Sequence, residues 1–374
     1  MEPVTLSREV LDWAAHKAGL TLQSFAESIA KRESDVNRIS NGRLTSSQAA
    51  KLAKKARIPF GYLFLEEPPE MSRPAIPDLR QVQEAVPLSE DFYEVLQDVV
   101  AKQQWYIEYL EDSGDISLPF VGKFSAVAAR KLASIVEDMR KVLQLTDKDR
   151  SGSQDASAYF SRLALKAERV GILVIKTSFV KSATRRSLSE KEFRGFALAH
   201  PVAPIVFVNG KDAEVAAVFT LMHELAHIWL GVSGVSDIAL KTNNTVERIC
   251  NAVAAELLVP TIDFKDRWGD SQDLQRLAAY YKVSRIVIAR RALDHGLVDQ
   301  SFYDQVVKES RPINKKKGSP SPHVTIPARN SKRFTSIVIS EAMSGNILLR
   351  DAAGLLNVRP DTVMSLARGK GKRE

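Results

Sequence analysis

The residues best suited to chemistry lie in Phe219-Thr220-Leu221-Met222-His223-Glu224-Leu225-Ala226-His227-Ile228-Trp229-Leu230, where His-Glu-x-x-His sits inside an apolar-periodic run. Positions four apart share one helix face, with Cβ atoms about 5–6 Å apart. His223 and His227 are therefore placed to grip one metal ion from one side. Glu224 projects beside that ion, where its carboxylate can take a proton from water. Two imidazoles and a carboxylate suit Zn²⁺ and leave a fourth position open. Asp212 near the start and Gly231 after the last apolar turn frame the helix. The bland alternative is a buried helix whose histidines are satisfied by the core. It is costly, because buried imidazoles flanking a glutamate need partners.

A third ligand has to come from another element. Asn244 to Pro260 reads as a second helix, ended by Pro260, and it offers Glu247. Asn251, one turn later on the same face, is placed to hold the other ring nitrogen of a histidine. Glu247 has a purely structural alternative, because Asn244 at the N-cap with Glu247 at N3 resembles a capping box. Glu256 is a rival ligand late in the helix. Cys250, the single cysteine, invites a ligand reading, but a small buried residue is the simpler one. One cysteine also excludes an intrachain disulfide.

The segment from about Glu192 to Gly296 resembles the ImmA/IrrE family of zincin-like metallopeptidases. The resemblance rests on Glu192-Phe193-Arg194-Gly195-Phe196, Pro204 to Asn209, Phe219 to Gly231 and Glu247 to Pro260. It implies metal-ligand roles for His223, His227 and Glu247, a catalytic role for Glu224, and a protein target, plausibly a repressor. The text Pro74-Ala75-Ile76-Pro77-Asp78-Leu79-Arg80 also recurs in long members of that family.

Composition narrows the classes. The 374 residues are enough for two or three domains, and 44% hydrophobic content is enough for real cores. The start has no basic-then-apolar signal, and no apolar run approaches the ~20 residues of a membrane span. The expectation is a soluble, cytoplasmic protein without a membrane partner. Net charge is +8, unevenly spread: residues 311–374 hold 13 Lys/Arg against 4 Asp/Glu, and residues 31–57 hold 8 against 2. Such footprints suit a polyanion or an acidic protein, although solvated charge runs are common on surfaces.

The elements that must position the site give an α+β, mostly helical fold in three parts. Residues 1–67 read as a small helical domain, with Thr21 as an N-cap and a third helix over about 34–40. Two short helices on a tight connection read as helix-turn-helix, and the stretch resembles the Xre-type repressor domain. That docking mode implies DNA as a partner. Ser34, Asn37 and Arg38, with Asp35, face bases, and Lys31, Arg32 and Arg43 approach phosphates. A helical interaction domain that never touches DNA is the competing reading.

Residues 68–310 read as the metallopeptidase body. Its first part, 68–90, is a proline-punctuated linker. Helices follow over 92–110, 126–145 and 156–170. A small sheet is expected from 171–177, 194–199 and 204–209, one edge of which would take an extended substrate. Helices over 273–281 and 284–295 come after Pro260. Tyr280 and Tyr281 are candidates to steady an oxyanion against a plain core role, and His200 reads as an exposed loop histidine. Residues 311–374 read as a basic flexible linker with Lys315-Lys316-Lys317, then a helical tail over 334–344, 348–356 and 360–367. The tail is too small for its own core and is expected to dock on a partner or in a homodimer.

Three functions are compatible with this text. One is a zinc peptidase that regulates transcription by acting on a regulatory protein. Another is an antitoxin that binds DNA and neutralises a PIN-like nuclease toxin, as long members of the family imply, with the peptidase core as scaffold. The last is a plain autoregulating repressor.

Overall fold

Short helices separated by turn residues build the amino-terminal part. Helix α1 (Arg8–Lys17) ends before Gly19, which adopts φ +72°, a left-handed conformation open to glycine. Helix α2 (Leu22–Ile29) starts at Thr21, whose hydroxyl accepts from the Ser24 N–H at 3.0 Å. Three residues lead to α3 (Glu33–Ser40), and α4 (Ser46–Ala56) follows. Strand β1 (Val4–Thr5) pairs antiparallel with β2 (Arg43–Leu44). Leu11, Phe25, Ile39, Leu52 and Leu63 are buried in one cluster. Each such side chain contributes about 1.5–3 kcal/mol by leaving water.

This computed structural model describes residues 3–56, 58–69, 76–79, 87–112, 114, 117–124, 132–236, 244–310 and 322–370. The chain divides into two compact units, Met1–Arg73 and Pro74–Glu374. The second begins with α5 (Glu90–Asp112), α6 (Leu132–Val142), α7 (Asp147–Ser151) and α8 (Ala156–Arg169). Next come β3 (Leu173–Thr177), β4 (Gly195–Leu198), β5 (Ile205–Asn209), α9 (Glu214–Leu230), β6 (Gly234–Ser236) and α10 (Thr245–Leu258). Then follow α11 (Thr261–Asp270), α12 (Leu274–Tyr281), α13 (Arg285–Asp294) and α14 (Gln300–Glu309). The chain closes with α15 (Pro322–Arg329), α16 (Lys332–Ser344), α17 (Leu349–Leu355) and α18 (Pro360–Lys370).

The sheet order is β3-β5-β4-β6, with β3 parallel to β5 and β4 antiparallel to both its neighbours. Alternation along the strands sorts side chains to two faces. Val174, Ala197, Val206 and Val208 join the core that contains α9 and α10. Leu173, Ile175, Phe196, Ile205 and Phe207 join a second core with α5. The sheet is thus buried on both sides, which explains why its strands read as continuous apolar runs.

The carboxy-terminal helices differ from the tail that the sequence sets apart at 311. Phe334, Val338, Ile339, Ala352, Leu356 and Val363 share the core of Phe92, Val95 and Leu96 on α5. Polar latches reinforce this. The Lys332 N–H donates to Glu168 Oε1 at 2.8 Å and Arg333 Nε donates to Tyr106 Oη at 2.8 Å, while within the tail Asn330 Nδ2 donates to the Leu356 carbonyl at 3.0 Å. Too small to bury its own apolar faces, the tail borrows the core of the body. Lys315 to Lys317, residues 126–131 of the expected second body helix, and all of the Pro74–Arg80 text except 76–79 lie outside the described residues. Among the described residues, no helix is long and apolar enough to cross a membrane.

Candidate metal centre

Helix α9 carries the His-Glu-x-x-His residues through the middle of the second unit. Every residue from Ala217 to Leu230 is buried, as expected of a helix apolar on all sides. Its far end is held from outside. Gly231 caps it at φ +67°, while the N–H groups of Gly122 and Phe124 donate to the carbonyls of Ile228 and Trp229 at 2.9 and 3.1 Å. These bonds satisfy carbonyls that a helix terminus leaves unpaired. The approach is close enough that a Cβ on Gly231 would sit 2.8 Å from Gly122 Cα.

Helix α10 packs beside α9 and completes the cluster. His223 Nε2 and His227 Nε2 lie 3.1 Å apart. Glu247 places Oε2 3.2 Å from the first and Oε1 3.0 Å from the second. Asn251 Oδ1 is 2.9 Å from His223 Nδ1, and this orients the ring. The amide oxygen accepts from Nδ1, which turns Nε2 toward His227 and Glu247. Two imidazole nitrogens and two carboxylate oxygens then converge at neighbouring distances of 3.0 to 3.2 Å. A buried cation relieves that convergence, and the donor set of two imidazoles and a carboxylate fits Zn²⁺.

The remaining polar atoms point the same way. Glu224 is fully buried, and its carboxylate oxygens make no hydrogen bond of ordinary geometry among the described residues, although the Ser236 hydroxyl acts on it. Burial, and then the negative Glu247, push its carboxyl well above the usual range. Burial pulls the His227 imidazole down, favouring the neutral form that ligates metals. Burial would raise the Glu247 carboxyl, but the two imidazoles outweigh it and bring it down to about 2.

Two residues at this centre, Ser236 and Gly195, escaped the sequence reading. Cys250 is buried, as expected, and brings its sulfur into a cluster with His223 and His227 whose ligand atoms all lie within 4.8 Å of one another. Burial, with Glu247 and Glu224 nearby, raises its thiol well above the usual range. Ser236 of β6 places Oγ 3.4 Å from His227 Nε2. Gly195 of β4 lies directly over the carboxylate, since a Cβ there would meet Glu224 Oε1 at 2.8 Å. An isolated glycine inside a strand pattern was the available signal.

Other candidates are engaged elsewhere. Glu256 accepts from the Thr261 N–H at 3.0 Å and from its hydroxyl at 2.6 Å, and it pairs with Arg291. Asn244 caps α10 by accepting from the Val246 N–H at 2.9 Å, while Glu247 faces the imidazoles. Tyr280 Oη accepts from Arg150 at 2.9 Å and Arg267 at 2.5 Å, and Tyr281 Oη donates to Asp263 at 2.8 Å. Both hydroxyls thus serve a cluster built with α7 and α11. His200 is half-buried, with Nδ1 3.3 Å from the N–H groups of Val202 and Ala203.

In the amino-terminal unit, Lys31, Arg32, Ser34, Asn37 and Arg43 are exposed on and around α3. Arg38 is half-buried and braced. It donates to the Arg43 carbonyl at 2.7 Å, to Asp35 Oδ1 at 3.2 Å and to Gln48 Oε1 at 3.3 Å.

Residues 167–293 match the family model of the IrrE N-terminal-like domain, which supports an ImmA/IrrE-type family for this part of the chain. The match runs from the end of α8 through most of α13 and contains every residue of the metal cluster. Residues 330–369 match a domain of unknown function, DUF8813, over the helices of the tail. No curated protein and no solved structure matches the chain.

Proposed function

We propose that the chain is a zinc-dependent, endopeptidase-like transcriptional regulator that acts on a regulatory protein and binds DNA through its first 67 residues. The observation that carries this is the convergence of His223, His227 and Glu247 within 3.2 Å beside the fully buried carboxylate of Glu224. These three residues would hold Zn²⁺, with Asn251 orienting His223. The ion would supply Lewis acidity toward a scissile carbonyl and toward water, lowering the pKa of the latter to near ~7. Glu224 then acts as the base: it takes the proton of the attacking water and delivers it to the leaving amine nitrogen. Its burial favours the protonated form, which matches the acid half of that cycle. Gly195 keeps side-chain atoms of β4 away from the carboxylate.

For DNA, the short connection between α2 and α3 and the exposed Lys31, Arg32, Ser34, Asn37 and Arg43 support a helix-turn-helix reading. Arg38 fits that reading as a brace for α3 rather than as a base contact.

The test is Glu224→Gln in the full chain. Zinc content by elemental analysis stays at the wild-type level, and cleavage of the protein target falls by about 10²–10⁴-fold. Equal rates for the two proteins would end the peptidase reading. One observation favours a second reading, an antitoxin that silences a PIN-like nuclease with this core as scaffold. His223, Glu224 and His227 are all fully buried, as suits a structural centre. On that reading Glu224→Gln neutralises the nuclease as well as wild type does.

A further inference from the structure

The outer edge of the sheet beside the metal centre is already taken. Strand β6 uses its inner edge to pair with β4, with Phe196 opposite Val235 and Gly195 opposite Ser236. Those residues border the site: Gly195 lies over Glu224, and Ser236 reaches His227. On the other side of β6 lies Ile76-Pro77-Asp78-Leu79, running parallel to it. Val235 donates its N–H to the Pro77 carbonyl at 3.0 Å and accepts from the Leu79 N–H at 3.1 Å. Leu79 packs onto Gly234 so closely that a Cβ at Gly234 would meet Leu79 Cδ1 at 2.2 Å. Ile76 and Leu79 are half-buried, whereas Pro77 and Asp78 face solvent. Paired main-chain bonds to an edge residue, with an apolar side chain seated on the sheet, are the means by which an extended peptide adds one strand.

Two features make this strand an occupant rather than a permanent member of the sheet. Among the described residues it holds β6 by two main-chain bonds at the single residue Val235, with Pro77 unable to donate. It also comes from the proline-punctuated stretch between the amino-terminal helices and the body, not from the element order of the sheet. Its removal would uncover unpaired N–H and C=O groups one residue from Ser236, a ready template for another chain.

We propose that Ile76–Leu79 occupies the position an extended substrate takes along β6, so that the centre is latent until a polypeptide with an apolar residue for the Leu79 seat on Gly234 displaces it. This rests on the peptidase reading above. The glycine at 234 is then a specificity determinant, because any side chain there would fill the seat.

The experiment uses the full, zinc-loaded chain as wild type, Leu79→Asp and the milder Leu79→Ala, each checked for folding by circular dichroism. A fluorescent peptide copying residues 74–80 and unfolded casein serve as probes. The peptide is expected to bind Leu79→Asp at least tenfold more tightly than wild type, with Leu79→Ala between them. Leu79→Asp should also cleave casein at least tenfold faster than wild type. Equal peptide affinity for all three proteins overturns the proposal, as does tighter peptide binding with equal, measurable cleavage. Tighter binding with no cleavage by any variant upholds the occupied edge and removes the peptidase reading instead. If Leu79→Asp fails to fold, Leu79→Ala against wild type decides by the same two readouts.

Discussion

Two clusters of buried polar groups lie in the second unit, and they are finished differently. In one, Lys102 of α5 is 2% exposed and pairs with Asp98, while Asn357 Nδ2 donates to both oxygens of that aspartate at 2.8 and 3.0 Å. Charge meets counter-charge, and the neutral amide ties the tail to α5. In the other, two imidazoles and two carboxylates crowd together with no lysine or arginine paired to them among the described residues, and the Glu224 oxygens make no hydrogen bond of ordinary geometry there. Burying polar groups without partners costs several kcal/mol, so a completed cluster reads as structure and an uncompleted one as a place for something else. The contrast gives each cluster its own experimental signature.

The sharpest way to break the contrast is at the third ligand. Glu247→Ala should weaken zinc affinity by more than about 100-fold, beyond the range typical of outer partners, whereas Cys250→Ala should change it by less than about tenfold. Competition with a chromogenic chelator reads both, and the reverse order would make the thiol the ligand. Next in size is Asn251→Ala, which frees the His223 ring and should cost about 10–100-fold in zinc affinity by the same titration. The His223 N–H left without its acceptor should also cost about 1–3 kcal/mol of stability, read by chemical denaturation.

The completed cluster should answer in stability alone. Burial pulls the Lys102 ammonium below its ordinary 10.5 despite Asp98. The unfolded chain therefore binds that proton more readily, and the stability tied to Lys102 is present above 10.5 and lost as pH falls through the folded-state value. Replacing the pair by Lys102→Met with Asp98→Asn should stabilise the protein on the order of 1 kcal/mol at neutral pH, with the gain shrinking as pH rises toward 10.5. Chemical denaturation across that range decides, and a gain that grew with pH would contradict the assignment. The smallest effects belong to α3. Arg38→Ala should lower stability of the amino-terminal unit by about 1 kcal/mol. Arg32→Ala should leave stability alone and reduce the salt dependence of DNA binding by about one phosphate contact.

How much of this was legible in the sequence depended on whether the partner was near in the chain. His223, Glu224 and His227 are related by helix geometry alone, and four-residue spacing sufficed to put the two imidazoles together. Choosing Glu247 over Glu256 from spacing was harder, because what removes Glu256 is Arg291, 35 residues away on α13. Strand β6 was invisible because Gly234–Ser236 is too short to show alternation, and only its neighbours define it. Helices α11 and α14 were passed over, and α15 carries Pro327 inside it, against the usual reading of proline as a breaker. The tail's apolar periodicity announced that it needed a partner. It could not say that the partner was α5 of the same chain.

The clasp at the end of α9 carries one more consequence. Gly122 and Gly231 are both exposed and both left-handed, at φ +66° and +67°, and their backbones touch. A side chain at Gly231 would meet Gly122 Cα at 2.8 Å and lift the neighbouring loop off the last turn of α9, one turn beyond His227, whereas at Gly122 the left-handed backbone alone would be strained. An outward-facing corner, free of any reactive group, thereby sets where an interior imidazole stands, and inherited changes there would surface as defects of metal chemistry.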